Sequence, residues 1–245
     1  MKTQPFKYPD TNSSRAQIEF LSERFSTQKI AIIGMGGTGS YILDLVSKTP
    51  VREIHIFDGD IFQLHNAFRA PGAIEGCKLD AEMPLKKVGY YASVYSNMHN
   101  GIVPHDGYIT KQNVSQLTEL DFVFICVDKN SVRNMIVTSL VEMNVQFIDV
   151  GLGVNIVDNS LIGSLRVTVG SEGKNDHIAN RIGGEELAEN AYSTNIQIAD
   201  LNCLNAVLAV IKWKKIAGFY QSLKDEHNIL FFINTNRLLN EDFAA

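Results

Sequence analysis

A glycine-rich loop between a short apolar segment and a helix constrains the fold of this chain more than any other feature. The segment before the loop, Lys29–Ile33, is apolar and of strand length, and residues 40–47 carry apolar side chains at helical spacing. The glycines of the loop, which include a G-x-G-x-x-G pattern, are Gly34, Gly36, Gly37 and Gly39. Glycines permit a sharp turn, and the amino terminus of a helix offers free N–H groups to a phosphate. The loop therefore predicts a nucleotide-binding α/β unit.

Strands and helices alternate after this unit, which predicts a mostly parallel sheet covered on both faces. The predicted strands are 53–57, 102–109, 122–127, 146–151 and 161–169, and the predicted helices are 15–26, 86–99, about 129–144 and 197–217. A strand or hairpin with a turn near residues 235–236 is expected over 227–239. We therefore expect a Rossmann-like, doubly wound α/β fold. Residues 1–28 form an amino-terminal arm and helix, and residues 29–245 form a single domain with a crossover loop at about 170–195.

Composition excludes several classes of function. The 22 Lys and Arg against 27 Asp and Glu give a net charge of −5, which disfavours nucleic-acid binding. No apolar run reaches the roughly 18 residues of a membrane span, and the first residues lack the apolar stretch of a signal peptide. The three cysteines, Cys77, Cys126 and Cys203, form no CxxC pair, so no zinc site is expected and a reducing cytoplasm is favoured.

An acidic residue ends the second strand of the nucleotide-binding unit. Asp58 lies 24 residues after Gly34 and can accept hydrogen bonds from ribose hydroxyls. This residue suits NAD enzymes and ATP-using proteins equally, so it leaves the choice of nucleotide open.

The residues after Asp58 resemble a family pattern. Residues 58–69, DGDIFQLHNAFR, match D-x-D-x-V-x-x-x-N-x-x-R of the ThiF/MoeB family, the adenylation domains of ubiquitin-activating enzymes. The loop sequence GMGGTGS and the strand end FICVD resemble two further signatures of that family. The resemblance covers residues 29–155 and extends more loosely through 197–217. Among its members, the chain is most similar to stand-alone bacterial versions.

The resemblance implies an activity and a set of partners. The expected enzyme is an adenylyltransferase that uses ATP and Mg²⁺ to activate the carboxyl-terminal glycine of a ubiquitin-like or sulfur-carrier-like protein, with release of pyrophosphate. Its homodimers are two-fold symmetric, and the loop at 170–195 occupies the place where relatives guide the flexible tail of the substrate protein. A regulatory nucleotide-binding module and an NAD(P)-dependent oxidoreductase remain alternatives from other classes. Within the fold, the substrate could instead be a small-molecule, peptide or tRNA carboxylate.

The resemblance also implies site residues. Charge builds on phosphate oxygens during adenylation, so cations and a metal-binding carboxylate are needed. The implied nucleotide-binding residues are the four loop glycines together with Asp58, Asp60, Asn66, Arg69, Lys87 and Asp128. Lys86 competes with Lys87, which fits the helix spacing better. Asp128 is the expected Mg²⁺ ligand and could alternatively cap the following helix, where Lys129 replaces the family's asparagine.

Two further expectations concern catalysis beyond these residues. The family has an amino-terminal arginine that reaches the partner subunit's ATP, and Arg15 is its counterpart here, with Arg24 as a competitor. Many relatives carry a catalytic cysteine after the central sheet, but this chain has none between Cys126 and Cys203. Cys203 lies in the apolar helix, where a buried structural thiol is expected. Any thioester would then form on a downstream thiol-bearing conjugating partner.

Overall fold

One eight-stranded sheet organises the molecule. The computed structural model describes residues 4–79, 84–182 and 196–244. The strands in chain order are β1 (Lys29–Ile33), β2 (Glu53–Asp58), β3 (Ile102–Asp106), β4 (Phe122–Ile125), β5 (Phe147–Val157), β6 (Ser160–Gly170), β7 (Glu226–Phe232) and β8 (Arg237–Phe243). In space they follow the order β3-β2-β1-β4-β5-β6-β7-β8. Strands β1 to β5 run parallel to one another, and β6, β7 and β8 are each antiparallel to the preceding strand.

The strand order identifies where a ligand is expected. From β1, the sheet extends to β2 and β3 on one side and to β4 and β5 on the other. Ligands of open parallel sheets bind at the carboxyl ends of the strands, at such a switch point. The glycine loop follows β1 at this point of the sheet.

Helices cover both faces of the sheet. The helices are α1 (Thr11–Ala16), α2 (Glu19–Ser22), α3 (Gly37–Val46), α4 (Leu64–Ala67), α5 (Gly76–Leu79), α6 (Lys87–Tyr95), α7 (Asn130–Glu142), α8 (Ile178–Arg181) and α9 (Ala199–Ile216). Along β1, Ile30 and Ile32 pack into one core with α3, α6 and α9, while Ala31 and Ile33 pack into a second core with α7. The continuous apolar run of β1 therefore reflects burial on both faces. None of the helices in the described ranges is both long and apolar enough to cross a bilayer.

The predicted fold class is confirmed, but the amino-terminal prediction is wrong in detail. Instead of a loose arm to residue 14 and one helix over 15–26, α1 begins at Thr11. Asp10 accepts hydrogen bonds from the backbone N–H groups of Asn12 and Ser13 and so caps this helix. Gln17 then adopts a left-handed conformation (φ 58°), which separates α1 from α2 and the 3₁₀ turn Glu23–Phe25.

The carboxyl-terminal part agrees with the sequence analysis with two differences. The hairpin of β7 and β8 turns through Asn236, which has φ 51°. Strand β5 is longer than predicted, because it continues into a hairpin with β6 whose turn residues Asp158 and Asn159 both have positive φ. The described beginning of the predicted crossover loop contains α8, and residues 183–195 lie outside the described ranges.

Candidate active site

The glycine loop is shaped by close backbone approaches. Gly34 has φ +93°, and a Cβ there would lie 2.6 Å from the carbonyl oxygen of Cys126. A Cβ on Gly37 would lie 2.1 Å from the side-chain amide of Asn202 on α9. Gly36 is the N-cap of α3 and leaves the first N–H groups of this helix without a side-chain cap. The loop therefore presents a helix amino terminus that an anion can approach closely.

Asp58 links this loop to the end of β2. Its Oδ2 accepts a hydrogen bond from the Met35 backbone N–H at 2.7 Å, and its Oδ1 accepts one from the Asp60 N–H at 2.8 Å. Burial raises the pKa of Asp58, although the nearby Lys87 charge and these two hydrogen bonds act in the opposite direction. The carboxylate is thus held rigidly at the carboxyl edge of the sheet beside the loop.

Lys87 faces Asp58, whereas Lys86 donates a hydrogen bond to the Gly59 carbonyl at 3.3 Å and contacts neither Asp58 nor Asp60 through its side chain among the described residues. The Lys87 Nζ lies 2.7 Å from Asp60 Oδ2 and 3.7 Å from Asp58 Oδ2, and its side chain is 8% exposed. The exposed Lys86 instead pairs with Asp106 at 3.1 Å. The structure therefore brings Lys87 into the cluster, as the helix spacing predicted.

Tyr108 joins this cluster without having been predicted from the sequence. Its hydroxyl donates a hydrogen bond to Asp60 Oδ1. This hydrogen bond is the largest of the influences that raise the pKa of Tyr108 to about 12. Hydrogen bonds from Lys87 and then Tyr108 lower the pKa of Asp60. Asp60 is consequently a stable anion, and it neutralises the positive charge of Lys87.

Asn66 and Arg69 stand in different environments. The Asn66 Oδ1 accepts a hydrogen bond from the Gln63 backbone N–H at 2.8 Å, so its side chain shapes the start of α4. The half-buried Arg69 has its Nε buried without a hydrogen-bond partner among the described residues. Arg69 and Asp58 both influence the pKa of Tyr91, which burial raises above its ordinary value. Arg69 and Asp58 thus both lie within electrostatic reach of Tyr91, and Arg69 retains an unused donor.

Asp128 is exposed at the end of the strand that precedes α7. Lys129 occupies the N-cap position of α7, and no side chain caps that helix. The helix-cap alternative for Asp128 is therefore not observed. The charge of Asp128 contributes to raising the pKa of Tyr108, which places it near the cluster.

The donor set suits one kind of metal ion. The described residues contain no group of three or more His, Cys, Asp or Glu side chains that could hold a metal. Mg²⁺ commonly takes one or two protein carboxylates, with phosphate oxygens and waters completing its shell. The single exposed carboxylate of Asp128 fits that mode and does not fit a dedicated protein cage.

The two amino-terminal arginines differ. Arg24 Nη1 donates a hydrogen bond at 2.6 Å to the carbonyl of Gly218, just after α9, and so has a structural role. Arg15 is exposed on α1. The structure does not place Arg15 in the cluster formed by Asp58, Asp60 and Lys87.

The cysteines show one departure from expectation. Cys203 is half-buried on α9, where the sequence predicted a buried thiol. The reason is that α9 packs only one side against α3 and the sheet, which leaves its other side partly open. Cys77 is exposed, and burial raises the pKa of Cys126 beneath the glycine loop.

A buried ionic group behind Asp128 was also missed. Asp149, on β5, is fully buried between the guanidinium groups of Arg133 and Arg166. The three residues are distant in sequence and belong to α7, β5 and β6. No spacing pattern predicts such a contact, although the predicted apolar strand 146–151 contains the charged residue Asp149.

A family model and two curated relatives match this chain. The ThiF family model matches residues 13–156. Ubiquitin-like modifier-activating enzyme 5 of Aedes aegypti is 24% identical over 148 residues, and that of Xenopus laevis is 25% identical over 150. Both alignments cover 57% of this chain, and the chain spans only 37% of the length of either relative.

Solved structures share the fold over nearly the whole chain. PaaA superposes with a TM-score of 0.73 at 14% identity, covering 97% of this chain and 76% of PaaA. Escherichia coli MccB crystallised with ATP gives a TM-score of 0.70 at 15% identity, covering 97% of this chain and 72% of MccB. At this identity the likeness establishes the Rossmann-like α/β fold.

Proposed function

This chain belongs to the ThiF family, and from that premise we propose that it is an ATP-dependent adenylyltransferase that activates a carboxylate and releases pyrophosphate. One observation carries the proposal. Lys87, Asp58, Asp60 and Tyr108 meet beside an uncapped helix amino terminus, with Asp128 in electrostatic reach of Tyr108. An NAD-dependent oxidoreductase has no need for this concentration of cations and a free carboxylate around a phosphate loop.

Each residue has a chemical task in the proposed reaction. The N–H groups at the start of α3 bind phosphate oxygens, and Asp58 accepts hydrogen bonds from the ribose hydroxyls. Lys87 leaves Asp60 to bind phosphate, and the free Nε of Arg69 supplies a further charge-assisted donor. Asp128 would hold Mg²⁺, which neutralises phosphate charge when bound. These groups orient the α-phosphorus for attack by the substrate carboxylate, with pyrophosphate as the leaving group.

We propose a ubiquitin-like or sulfur-carrier-like protein with a carboxyl-terminal glycine as the first candidate substrate. The curated relatives are named for activating a ubiquitin-like modifier, and the ThiF family model matches residues 13–156, which include the proposed nucleotide residues. A terminal glycine suits a narrow site because it adds no side chain.

A peptide or small-molecule carboxylate is the second candidate. MccB, which shares the fold over 97% of this chain, was solved together with MccA, and this supports a candidate substrate other than a ubiquitin-like protein. The two candidates share the same nucleotide chemistry and differ only in the group that enters the carboxylate side of the site.

Pyrophosphate exchange tests the proposal and separates the candidates. Labelled pyrophosphate should enter ATP only when Mg²⁺ and an acceptable carboxylate are present. Ubiquitin-like proteins ending in glycine, short peptides and amino acids form the substrate panel, and each protein is also supplied without its last glycine. A thermal shift with ATP·Mg²⁺ but not with NAD(H) is the accompanying result. Stabilisation by NAD(H) alone, without exchange, would contradict the proposal.

We further propose a two-fold homodimer in which Arg15 reaches the partner subunit's phosphates, and a thiol-bearing partner that receives the activated carboxylate. The exposure of Arg15 and of the neighbouring Phe20, which is 65% exposed, supports an unpaired surface at the amino-terminal helices. Sedimentation velocity should show a dimer that Phe20→Ser weakens. A monomer at all concentrations would reject the dimer and leave the nucleotide chemistry to the exchange assay.

A further inference from the structure

Arg133 donates hydrogen bonds on both sides of Asp128, to a backbone carbonyl before it and to a side chain after it. Its Nη2 donates to the carbonyl oxygen of Val127, immediately before Asp128, and its Nη1 donates to Asn130 Oδ1 at 2.6 Å. Only Asp128 and Lys129 lie between these two anchors. The guanidinium fork thus spans the turn that leads into α7, with two donors fixed in one plane.

The third side of Arg133 faces a buried carboxylate. Its Nε lies 3.1 Å from Asp149 Oδ1, as an ion pair without a well-aligned hydrogen bond. Asp149 is 0% exposed and also pairs with Arg166. Arg166 in turn donates to Thr168 Oγ1 at 2.6 Å, inside the sheet. Asp149 therefore orients Arg133 from behind and is itself held by β6.

We propose that Arg133, oriented by Asp149, is a positioning residue that fixes Asp128 for binding Mg²⁺ on the nucleotide phosphates. The inference rests on the proposed ATP·Mg²⁺ function and adds a residue that touches neither nucleotide nor metal. Among the described residues no side chain caps α7, so Asp128 does not fix this turn by capping the helix. The geometry of the carboxylate then depends on the anchors at Val127 and Asn130.

Arg166 provides a matched control for Arg133. Both arginines pair with the same buried carboxylate, and their side chains are similarly buried, at 13% and 17% exposure. Only Arg133 contacts the turn around Asp128. A purely structural role of the ionic group predicts the same consequences for Arg133→Met and Arg166→Met, whereas positioning predicts a difference between them.

The test is a titration of Mg²⁺ into the full chain with a fluorescent ATP analogue, alongside Tm. Both Met variants should lose stability, since each leaves Asp149 with one arginine. The half-saturating Mg²⁺ concentration should rise about tenfold in Arg133→Met, as for loss of an outer-shell partner of a metal ligand, and stay within about twofold in Arg166→Met. In EDTA, nucleotide binding by Arg133→Met should remain within about twofold of wild type. Arg133→Lys, which keeps the charge but loses the fork, should not restore the Mg²⁺ response.

The outcomes separate the inference from the function on which it rests. Equal Mg²⁺ responses in the two Met variants would overturn positioning by Arg133 while wild type still binds ATP·Mg²⁺. Full rescue by Arg133→Lys would also overturn it, because charge alone would then suffice. A wild-type protein that binds no ATP under any condition would reject the proposed function and the inference together. If Arg133→Met does not fold, Asn130→Ala removes one of the two anchors and should raise the Mg²⁺ requirement above that of wild type, by less than about tenfold. An unchanged requirement in Asn130→Ala would then overturn the inference.

Discussion

Two clusters of lysine and acid lie at opposite ends of the sheet. The loop-side cluster contains Asp58, Asp60 and Lys87 at the carboxyl end of β2. The far cluster contains Lys212, Lys215 and Glu226, where α9 ends and β7 begins. The strand register places Glu226 level with the amino ends of the parallel strands. The two clusters have similar residue types but opposite locations relative to the glycine loop.

The pKa values of their carboxylates are shifted in opposite directions. Burial raises the pKa of Asp58, and the charge of Lys87 does not reverse this. Burial acts in the same direction on Glu226, but the Lys215 hydrogen bond and the charges of two lysines lower its pKa overall. The Lys215 Nζ lies 2.9 Å from Glu226 Oε1, whereas Lys87 lies 3.7 Å from Asp58 and binds Asp60 more closely. The far cluster is internally satisfied, and the loop-side cluster leaves a buried carboxylate partly uncompensated.

Residue type alone therefore does not define a ligand-binding site. Lys212 and Lys215 of the far cluster line a cavity of about 480 Å³, and both already pair with carboxylates. The loop-side cluster has a helix amino terminus without a side-chain cap beside it, and Arg69, which together with Asp58 influences Tyr91, has a buried donor without a partner among the described residues. We expect ligand chemistry where polar groups are held in place but incompletely satisfied.

Replacing one lysine from each cluster should give the largest difference between the two clusters in pyrophosphate exchange. Lys87→Met should lower pyrophosphate exchange on the order of 10²-fold or more, because it removes a preorganised cation from the phosphates. Lys212→Met should leave exchange by the folded protein near wild type and change Tm instead. Equal losses of exchange in two well-folded variants would contradict the assignment of the site to the loop side.

Glu226→Gln should reveal the stabilising nature of the far cluster. It removes a charged acceptor that is 4% exposed, and the free energy of unfolding should fall by about 2 kcal/mol at pH 7. Because the folded state lowers the pKa of Glu226 from its usual value of 4.5, the stability that it contributes is present above that pH and is lost as the pH falls through the folded pKa. Urea unfolding should therefore show the two proteins converging in acid. A difference independent of pH would contradict the ionic explanation.

Arg69→Lys tests whether the loop side needs a guanidinium group or only a positive charge. Lysine keeps the charge but loses the planar fork, so exchange should fall about tenfold. Steady-state kinetics with ATP as the varied substrate, with Tm as the folding control, measure the effect. Wild-type rates in Arg69→Lys would mean that a point charge is sufficient there.

Cys203→Ala should have the smallest effect. The thiol is half-buried on α9 and lies outside the loop-side cluster, so exchange should stay within about twofold of wild type. Transfer to an added thiol acceptor should also persist. A reducible substrate adduct trapped on Cys203 would contradict this prediction and make the chain a complete thioester-forming enzyme.

The sequence predicted the parts of the fold that local patterns encode. The apolar run of β1 and the glycine loop are adjacent in sequence, and Asp58 ends the next strand, so their arrangement followed from a single strand–loop–helix–strand unit. Lys87 was preferred over Lys86 from helix spacing, and the structure brings it to Asp58. The break at Gln17 escaped prediction because the spacing of Ile18, Leu21 and Phe25 suits a helix whether or not the backbone is interrupted.

The rest of the candidate site depends on long-range packing. Tyr108 reaches Asp60 from the segment after β3, and Arg133 and Arg166 meet Asp149 from separate elements. Contacts between residues that are distant in sequence leave no periodic signal in it. The hydrogen bond that Asn66 accepts from Gln63 was likewise not predicted, because it depends on the local turn at α4.

The most direct test of the central claim follows oxygen during turnover. A substrate that supports exchange is labelled with ¹⁸O in its carboxylate, and hydroxylamine is supplied as the acceptor. Attack of the carboxylate on the α-phosphorus leaves one heavy oxygen in AMP after the acyl group passes to hydroxylamine, while pyrophosphate stays unlabelled. The account predicts labelled AMP and one hydroxamate for each pyrophosphate released. Formation of ADP with the label in inorganic phosphate would contradict it, since that result means attack on the terminal phosphate of ATP.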